Sequence, residues 1–513
     1  MSKWDSGYVS DIAYTYGYYL ELNPLRSQLA LLHSGIICPK FETACELGFG
    51  QGLSTNFHAT ASTTEWYGTD FNPSQASFAQ HLNSVSQAGA KLYDEAFEEF
   101  CNRSDLPEFD FIGLHGIWSW ISDKNRKILV DFIGKKLKVG GVLYVSYNTL
   151  PGWAAFLPMQ HLMTEHANRM SAPSQNIQDR VGSAIEFADN LLNTSPVYSI
   201  KNPTVKDRIE KLKGMSKAYL AHEYFNRDWH PMHFGSFSKL IEPAKVQFAC
   251  SASYLEHIDV VNLTKEQQEF MNSVPDPMFK QSIRDFMVDQ QFRKDYWVKG
   301  IRQYSALEKS ELFKSHEIIL QSARTDIPKK VNGTLGEATL TPEVYEPILD
   351  VLGNHKPISI GQLLEKVKDK NIDLAKLAQA VMILASDARV NSVQDSKESK
   401  TVKPQTSRLN NYIIERSRSR SDINFLISPL TATGISADRL EQLFLLAYKE
   451  GRKQPQEWVP YVWHVLKSQG QSILKEGKSI ESEEDNIKEL GERATKFASE
   501  RLSLFKALDI IDG

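Results

Sequence analysis

Near the N-terminus the sequence reads Phe41-Glu42-Thr43-Ala44-Cys45-Glu46-Leu47-Gly48-Phe49-Gly50-Gln51-Gly52, and this stretch decides the fold. The apolar run that ends at Leu47 predicts a strand, and residues 53–60 have the pattern of a helix that follows it. Glycines between a strand and a helix allow a tight turn, and they let the backbone approach a ligand where a Cβ atom would clash. We therefore expect a ligand-binding turn at the start of an α/β domain.

Short apolar runs and helical patterns alternate from this turn to about residue 150. Further strands are predicted over residues 64–70, 91–93, 109–114 and 142–147, and helices over residues 73–87, 97–101 and 124–136. Strands that alternate with helices indicate right-handed parallel crossovers. The sequence therefore predicts an α/β fold with a doubly wound, Rossmann-like sheet.

An acidic residue, Asp70, ends the second predicted strand, about 20 residues after the glycine turn. An acid at this position can bind both hydroxyls of a ribose. A dinucleotide site shares these features, but it requires Gly-x-Gly-x-x-Gly, and Leu53 occupies the place of its third glycine. A phosphate loop is excluded because no Gly-Lys-Ser/Thr follows the glycines. A glycine-rich turn that binds no ligand stays open as an alternative.

The form acid-x-Gly-x-Gly-x-Gly resembles motif one of class I methyltransferases, which use S-adenosylmethionine as cofactor. The resemblance implies that the methionine side of the cofactor is bound by Glu46, Gly48, Gly50 and Gly52, and its ribose by Asp70. In that family the third strand ends at an acid that faces the adenine, which implies Asp94 or Glu95 here, and we take Asp94. Phe49 departs from the pattern, because a small or thiol residue is expected at its position.

The acceptor of the methyl group should bind beyond the carboxyl ends of the fourth and fifth strands, because ligands of open parallel sheets bind there. The sequence at these ends is rich in aromatic and polar residues, and our candidate catalytic residues are His115, Trp118, Tyr147 and Asn148. His115 is either a general base or a structural histidine. Aromatic faces attract a cationic amine, so the site suits a lysine, and equally a hydroxyl or planar acceptor.

The N-terminal residues 14–24 carry several tyrosines and predict a helical segment that folds over the cofactor as a lid. Tyr16 is our candidate cofactor contact in this segment. A surface helix that packs its tyrosines against the sheet domain is the alternative.

The rest of the chain predicts additional domains that are mainly helical. With 513 residues the chain is too long for one hydrophobic core. We expect a sheet domain with its N-terminal lid (1–153), a helical insertion and substrate region (154–320), a winged-helix-like middle domain (321–400) and a C-terminal mainly helical domain (401–513). Residues 392–408 are polar and predict a linker.

Composition limits the classes of partner. A formal net charge of −4 argues against a nucleic-acid binder, and no uncharged apolar run of about 18 residues predicts a membrane span. No secretory signal is visible, so we expect a cytoplasmic protein. His222-Glu223 is not continued to His-Glu-x-x-His, and Pro231 interrupts the pair His230 and His233, so we expect no metal.

Longer strings identify a narrower resemblance, to bacterial methyltransferases that carry a methyltransferase regulatory domain and include rickettsial protein-lysine methyltransferases. The resemblance rests on residues 14–19, 67–73, 110–120, 144–153 and 222–229. It implies a helical insertion used for dimerisation, so we expect a homodimer, and a protein substrate whose lysines are methylated. Studied members act on outer-membrane proteins, which makes a surface protein the expected substrate.

Two other functions stay open. A small-molecule or glycan O-methyltransferase would use His115 as its base. A cofactor-sensing regulator would bind nucleic acid through the winged-helix-like region, and basic residues between positions 399 and 420 favour it.

Overall fold

The strands and helices predicted between residues 41 and 148 all form in a computed structural model that describes residues 16–172 and 175–511. The lid residues 14 and 15 lie outside the described residues. The elements of this region are α1 (Pro24–His33), β1 (Thr43–Leu47), α2 (Leu53–Ala61), β2 (Glu65–Thr69), α3 (Pro73–Ser86), β3 (Lys91–Tyr93), α4 (Phe97–Phe100), β4 (Phe109–Leu114), α5 (Asp123–Lys136) and β5 (Leu137–Asn148).

A mainly helical stretch follows and returns to the sheet with two more strands. Its elements are α6 (Leu157–Arg169), α7 (Ile177–Asn193), α8 (Val197–Lys201), α9 (Thr204–Lys213), α10 (Lys217–Tyr224), α11 (Phe234–Ile241), β6 (Val246–Ser251), α12 (Asp259–Asn262), α13 (Lys265–Ser273), α14 (Pro277–Met287) and β7 (Phe292–Lys299).

Seven strands form one sheet in the order β3-β2-β1-β4-β5-β7-β6. β1 to β5 pair in parallel, and β7 runs antiparallel to both of its neighbours. Every residue of β4 is buried, as expected for a central strand that is covered by helices on both faces. The predicted α/β, Rossmann-like fold class is confirmed.

The strands β6 and β7 come from the range for which the sequence predicted helices. β7 was missed because it carries Arg293 and Asp295, charged residues that a central strand rarely contains. Both are buried here: the Arg293 guanidinium lies 2.9 Å from a carboxylate oxygen of Asp295 and 2.5 Å from one of Asp285. Mutual pairing therefore lets charged side chains lie inside the sheet domain.

The middle of the chain forms four helices, a small three-stranded antiparallel sheet and a two-stranded hairpin. Its elements are α15 (Ala306–Ser315), β8 (Glu317–Leu320), β9 (Lys330–Gly333), β10 (Gly336–Thr339), α16 (Pro342–Leu352), β11 (Ile358–Ser359), α17 (Ile360–Val367), α18 (Leu374–Ser386) and β12 (Val390–Ser392). β8 lies between β11 and β12, and α16, α17 and α18 contact this sheet, which is the outline expected of a winged-helix-like domain.

The C-terminal region is mainly helical, as the sequence predicts. It contains α19 (Ser396–Arg416), β13 (Phe425–Ser428), β14 (Thr433–Ser436), α20 (Arg439–Lys449), α21 (Pro455–Ser468), β15 (Leu474–Lys475), β16 (Lys478–Ser479), α22 (Glu483–Lys496) and α23 (Leu502–Ala507), with a π-helical turn at Phe497–Arg501. Short 3₁₀ helices complete the chain, at Leu20–Leu22, Trp118–Trp120, Glu242–Ala244, Tyr254–His257, Arg324–Asp326 and Lys368–Lys370.

The predicted linker over residues 392–408 is wrong, because α19 begins at Ser396. The Asp395 side chain caps this helix by accepting hydrogen bonds from two backbone amides. Its polar side chains bind the sheet domain: Gln405 donates to the Thr60 carbonyl (2.8 Å) and Arg408 to the Ser86 carbonyl (2.7 Å). The polar composition thus reflects a hydrogen-bonded helix interface.

The C-terminal region also shares a hydrophobic core with the sheet domain. Leu53 and Phe57 on α2 and Leu82 on α3 pack in one buried cluster with residues such as Leu426 and Ile427. Tyr18 lies in the same interface. Its ring centroid is 5.4 Å from that of Phe57 and 5.2 Å from that of Phe425.

None of the helices in residues 16–172 and 175–511 combines the length and the apolar content that crossing a bilayer requires.

Candidate active site

A cavity of about 1070 Å³ lies at the carboxyl ends of the parallel strands. Residues after β1, β2, β3, β4 and β5 line it, and α10 and the loop after it form the facing wall. A pocket for one small ligand measures about 300–1,000 Å³. The cavity is therefore large enough for a cofactor and part of a second molecule.

The glycine turn forms one end of the cavity. Gly48 and Gly50 line it with positive φ angles of 79° and 58°. A Cβ atom on Gly48 would lie 2.4 Å from a side-chain carbon of Ile117, so another residue there would push into the wall. Phe49, the unexpected residue, is buried, and its ring lies over Gly68 of β2, where a Cβ atom would be 2.9 Å from the ring. Gly68 therefore makes room for Phe49.

Gly52 serves the packing of helices and is not among the residues that line the cavity. It precedes α2 with φ of 67°, and a Cβ atom on it would lie 2.4 Å from the Cβ of Ala79 on α3. The structure thus places Gly52 where α2 and α3 approach each other closely.

Glu46 lies at the end of β1, is buried and lines the cavity. Its carboxylate accepts a hydrogen bond from the Thr55 hydroxyl. Burial raises the pKa of Glu46 to about 8, and the nearby charge of Asp70 acts in the same direction. The side chain is thus ready to ionise when a positive charge comes close.

Asp70 follows β2 and closes the glycine turn. Its two carboxylate oxygens accept hydrogen bonds from the backbone amides of Gly50 (2.8 Å) and Asn72 (3.0 Å). Burial raises the pKa of Asp70 to about 6. A carboxylate has about four acceptor positions, so two remain for hydroxyl groups of a ligand in the cavity.

Glu95, rather than Asp94, lines the cavity after β3. One carboxylate oxygen of Glu95 pairs with Arg103 (2.6 Å), and the other is buried without a hydrogen-bond partner. Such an atom fits a donor group of a ligand, because an unsatisfied buried acceptor is costly. The sequence allowed either acid and we took Asp94, but the turn after Tyr93 brings Glu95 to the cavity instead.

The other end of the cavity is aromatic and is assembled from distant parts of the chain. Its wall combines the 3₁₀ helix after β4, the end of β5 and the loop that follows, α10 with the residues after it, and the residues around the start of β7. The side chains concerned are Trp120, Asn148, Trp153, Tyr219, Glu223, Tyr224, Arg227, Asp228, Gln291 and Phe292. Residues 222–229 contribute to the family resemblance, but the sequence does not predict that they line the site.

Comparison with known proteins identifies the family. The family model of the predicted methyltransferase regulatory domain matches residues 216–299. The uncharacterised protein sll1526 of Synechocystis is 40% identical over 99% of both chains. The chain belongs to the S-adenosylmethionine-dependent methyltransferases that carry this regulatory domain.

More distant relatives support the extent of the fold. The uncharacterised protein RP789 of Rickettsia prowazekii is 23% identical, and the alignment covers 92% of this chain and 88% of that protein. The structure of PKMT2 from Rickettsia typhi in complex with AdoHcy superposes with a TM-score of 0.68 at 16% identity, and covers 94% of this chain and 98% of that one. The fold is thus shared over 94% of this chain.

The N-terminal segment of the methyltransferase crosses the edge of the cavity at Gly17 and Tyr19. The Tyr19 ring stacks on His115 with a centroid distance of 3.6 Å. Tyr16, the residue that the sequence suggested, packs instead edge-on against Phe78 on α3 (5.2 Å) and does not line the cavity. Tyr19 takes the position expected of Tyr16.

His115 lines the cavity as part of an aromatic stack. Its Nδ1 lies 2.8 Å from the Tyr144 hydroxyl, and burial lowers the pKa of His115 to about 3. The imidazole is therefore neutral and a weak base at neutral pH.

Trp118 and Tyr147 lie in the core behind the cavity. Both are fully buried, and their rings lie 5.0 Å and 4.3 Å from that of Phe237 on α11. Tyr147 points away because side chains alternate along β5, which brings Asn148 to the cavity instead. Trp120 takes the place expected of Trp118. The structure thus gives no support to Trp118 and Tyr147 as catalytic residues.

Within residues 16–172 and 175–511, no three His, Cys, Asp or Glu side chains come together in a way that could hold a metal ion.

Proposed function

We propose that this methyltransferase transfers the methyl group of S-adenosylmethionine to lysine amines of a protein substrate. The observation that carries the proposal is a cavity that has the glycine turn and buried carboxylates at one end and an aromatic, acidic wall at the other. PKMT2 from Rickettsia typhi, which shares the fold, was solved in complex with AdoHcy, the product form of this cofactor.

The cofactor end offers a group for each part of S-adenosylmethionine. Glu46 suits the positively charged amino group of the methionine part, and the free acceptor positions of Asp70 suit the ribose hydroxyls. The buried oxygen of Glu95 that lacks a partner suits a donor on the adenine. S-adenosylmethionine supplies a methyl group that its sulfonium makes electrophilic.

The acceptor end has to position and desolvate an amine. In-line transfer requires the nucleophile about 3–3.5 Å from the methyl carbon. A lysine amine titrates near a pKa of about 10.4 in water, and removal of water lowers that value. Trp120, Trp153 and Phe292 line this end and limit its contact with water, and aromatic faces attract a cationic side chain. Trp153 already has such a contact, because the Arg208 guanidinium lies 4.1 Å from its ring centroid.

The O-methyltransferase alternative receives no support from His115. A base with a pKa of about 3 takes a proton from a hydroxyl group poorly, and its Nδ1 is already engaged with Tyr144.

The nucleic-acid alternative loses three of the six basic residues that favoured it. Lys403 pairs with Asp509 (2.8 Å), Arg416 with Asp422 (2.5 Å) and Arg418 with Glu415 (3.2 Å). Such internal pairs offset the charge that phosphate groups would need.

We also propose a homodimer formed through the helical insertion. Met170, Val197, Ile200 and Met215 are exposed there by 45–74%, and such apolar residues favour contact with a second copy. Light scattering after gel filtration measures the mass, and a monomer at micromolar concentration would contradict the proposal. The cytoplasmic location and the surface-protein substrate stay predictions.

The proposed reaction is tested with cofactor that carries a labelled methyl group. Purified protein is incubated with this cofactor and with a cell extract whose proteins carry few methyl groups. The proteins are then hydrolysed and analysed for labelled methyl-lysine. We expect label in lysine of protein bands, and much less label with Asp70→Ala at a cofactor concentration that just saturates the wild type. Label confined to low-mass material would refute a protein substrate.

A further inference from the structure

The matched regulatory domain begins inside the active-site wall. The family model covers residues 216–299. The first part of this range lines the cavity, from α10 to Asp228. Tyr219 and Glu223 are four residues apart on α10 and therefore lie on the same face of the helix. A domain described as regulatory thus contributes side chains to the acceptor end.

This wall is held in place by the sheet domain and the helical insertion. The Trp120 indole donates to the Glu223 carbonyl (3.3 Å), and the Gln160 amide donates to the Tyr224 carbonyl (2.6 Å). The Tyr224 ring packs edge-on against Trp153 with centroids 5.9 Å apart. The end of α10 is therefore a fixed part of the cavity.

The electrostatics of the wall centre on the Glu223 carboxylate. Burial, and next the charge of Glu223, raise the pKa of Tyr219 to about 12. Burial also raises the pKa of Tyr224, which the charge of Arg208 lowers and that of Glu223 raises. The carboxylate therefore lies close to two phenols that stay neutral. Two basic residues that line the cavity form ion pairs, Lys124 with Glu98 (2.6 Å) and Arg227 with Asp228 (2.8 Å).

We infer that Glu223, together with the faces of Tyr219 and Tyr224, is the specificity determinant that selects a cationic amine as the methyl acceptor. The inference rests on the proposed function and adds to it the residues that recognise the substrate. An ammonium group entering between aromatic faces is stabilised by cation–π contact and by the carboxylate. A neutral hydroxyl gains neither of these attractions, so it should bind more weakly.

The role of Glu223 is to bind the acceptor, and the proton of the ammonium group leaves to water before transfer. The neutral amine nitrogen then forms its bond to the methyl carbon while the carbon–sulfur bond breaks and its electron pair stays on sulfur. A carboxylate is too weak a base to take this proton itself, because its pKa lies far below that of an amine.

The test uses n-butylammonium, which mimics the end of a lysine side chain, and n-butanol as its neutral counterpart. Binding to the full chain saturated with S-adenosylhomocysteine is followed by tryptophan fluorescence, because Trp120 and Trp153 line the cavity. We expect wild type to prefer the amine by about tenfold or more and Glu223→Gln to lose this preference. Glu223→Asp should recover part of it.

Glu269→Gln is the matched control, because Glu269 belongs to the same matched segment and its side chain is 68% exposed. An unchanged amine preference in Glu223→Gln would overturn the inference, as would an equal loss in Glu269→Gln. Affinity for S-adenosylhomocysteine should be unaffected in all variants. If wild type fails to bind S-adenosylhomocysteine, the proposed function fails, while the amine preference can still be measured on the free protein.

Discussion

The two ends of the cavity are built in different ways. The cofactor end comes from short local segments that follow β1, β2 and β3, and its groups are backbone amides and buried carboxylates. The acceptor end gathers side chains from residue 120 to residue 292, and half of them are aromatic. A local strand–turn–helix motif thus fixes the cofactor, whereas tertiary packing fixes the acceptor.

This difference implies that the two ends can be disabled separately. The glycine turn and α10 belong to different elements, and they face each other across the cavity. Changes at the cofactor end should therefore alter cofactor affinity and leave amine recognition intact, and single substitutions can test this separation.

The largest effect is expected from Asp70→Ala. This change removes the acceptor for the ribose hydroxyls and also the carboxylate that accepts the Gly50 amide. Loss of a charge-assisted hydrogen bond costs about 1.5–3 kcal/mol, so affinity for S-adenosylmethionine should fall by about ten- to a hundredfold, measured by calorimetry. Binding of n-butylammonium should persist, and a parallel loss of both would mean that the two ends are coupled.

A smaller effect is expected from Glu95→Gln. Glutamine keeps the shape of the side chain but removes its negative charge, so the buried oxygen becomes a weaker acceptor for the ligand. Cofactor affinity should therefore fall by about three- to tenfold. Asp94→Asn, the neighbouring acid, is the matched control and should leave affinity unchanged. If Asp94→Asn weakens cofactor binding more than Glu95→Gln does, Asp94 is the acid that binds the cofactor.

Cofactor binding should also release a proton from Glu46. The pKa of Glu46 is about 8 in the free protein, so the carboxyl is mostly protonated at pH 7 and has to ionise when it pairs with an amino group. Affinity should therefore rise from pH 6 to about pH 8. Calorimetry in buffers of different ionisation enthalpy measures the released proton, and Glu46→Gln should abolish it.

The same shift affects the stability of the free protein. The pKa of Glu46 is raised from 4.5 in the unfolded reference to about 8 in the folded chain, so the folded state binds the proton more tightly. Stability therefore decreases as the pH rises through this interval. Glu46→Gln should raise Tm at pH 8 and leave it nearly unchanged at pH 4.5, and an unaltered Tm at pH 8 would argue against the raised pKa.

The smallest effect is expected from His115→Phe. The substitution keeps an aromatic ring against Tyr19 and loses only the bond to the Tyr144 hydroxyl. Turnover should change by less than about threefold, with an unchanged pH profile, since the replaced group is a poor base. A loss of several hundredfold would restore His115 as the base of an O-methyltransferase.

The sequence predicted the sheet domain well because its signals are local. The strand limits at β3 and β4 match the prediction, and Glu46 and Asp70 line the cavity as expected. The acceptor residues were harder to predict, because a sequence string locates a strand end without saying which side chain faces the ligand. Trp118 and Trp120 illustrate this, since they are two residues apart and only the second reaches the cavity.

Other features depended on long-range contacts. β7 escaped prediction because its charged residues are neutralised by partners such as Asp285, which lies on another element. Likewise α19 resembled a linker because the acceptors of its polar side chains, among them the Thr60 carbonyl, belong to the sheet domain. Neither partner can be identified from the sequence around the segment itself.

The neighbouring residues Tyr18 and Tyr19 connect the C-terminal region with the active site. Tyr18 is held between α2 and the C-terminal strand that contains Phe425, while Tyr19 lies against His115 in the active site. A chain that stopped before α19 would expose the apolar side chains of α2 and α3 and release the segment beside the cofactor. A recombination event that replaced the C-terminal region would therefore also disturb the sheet domain and its active site. We expect the two regions to evolve together.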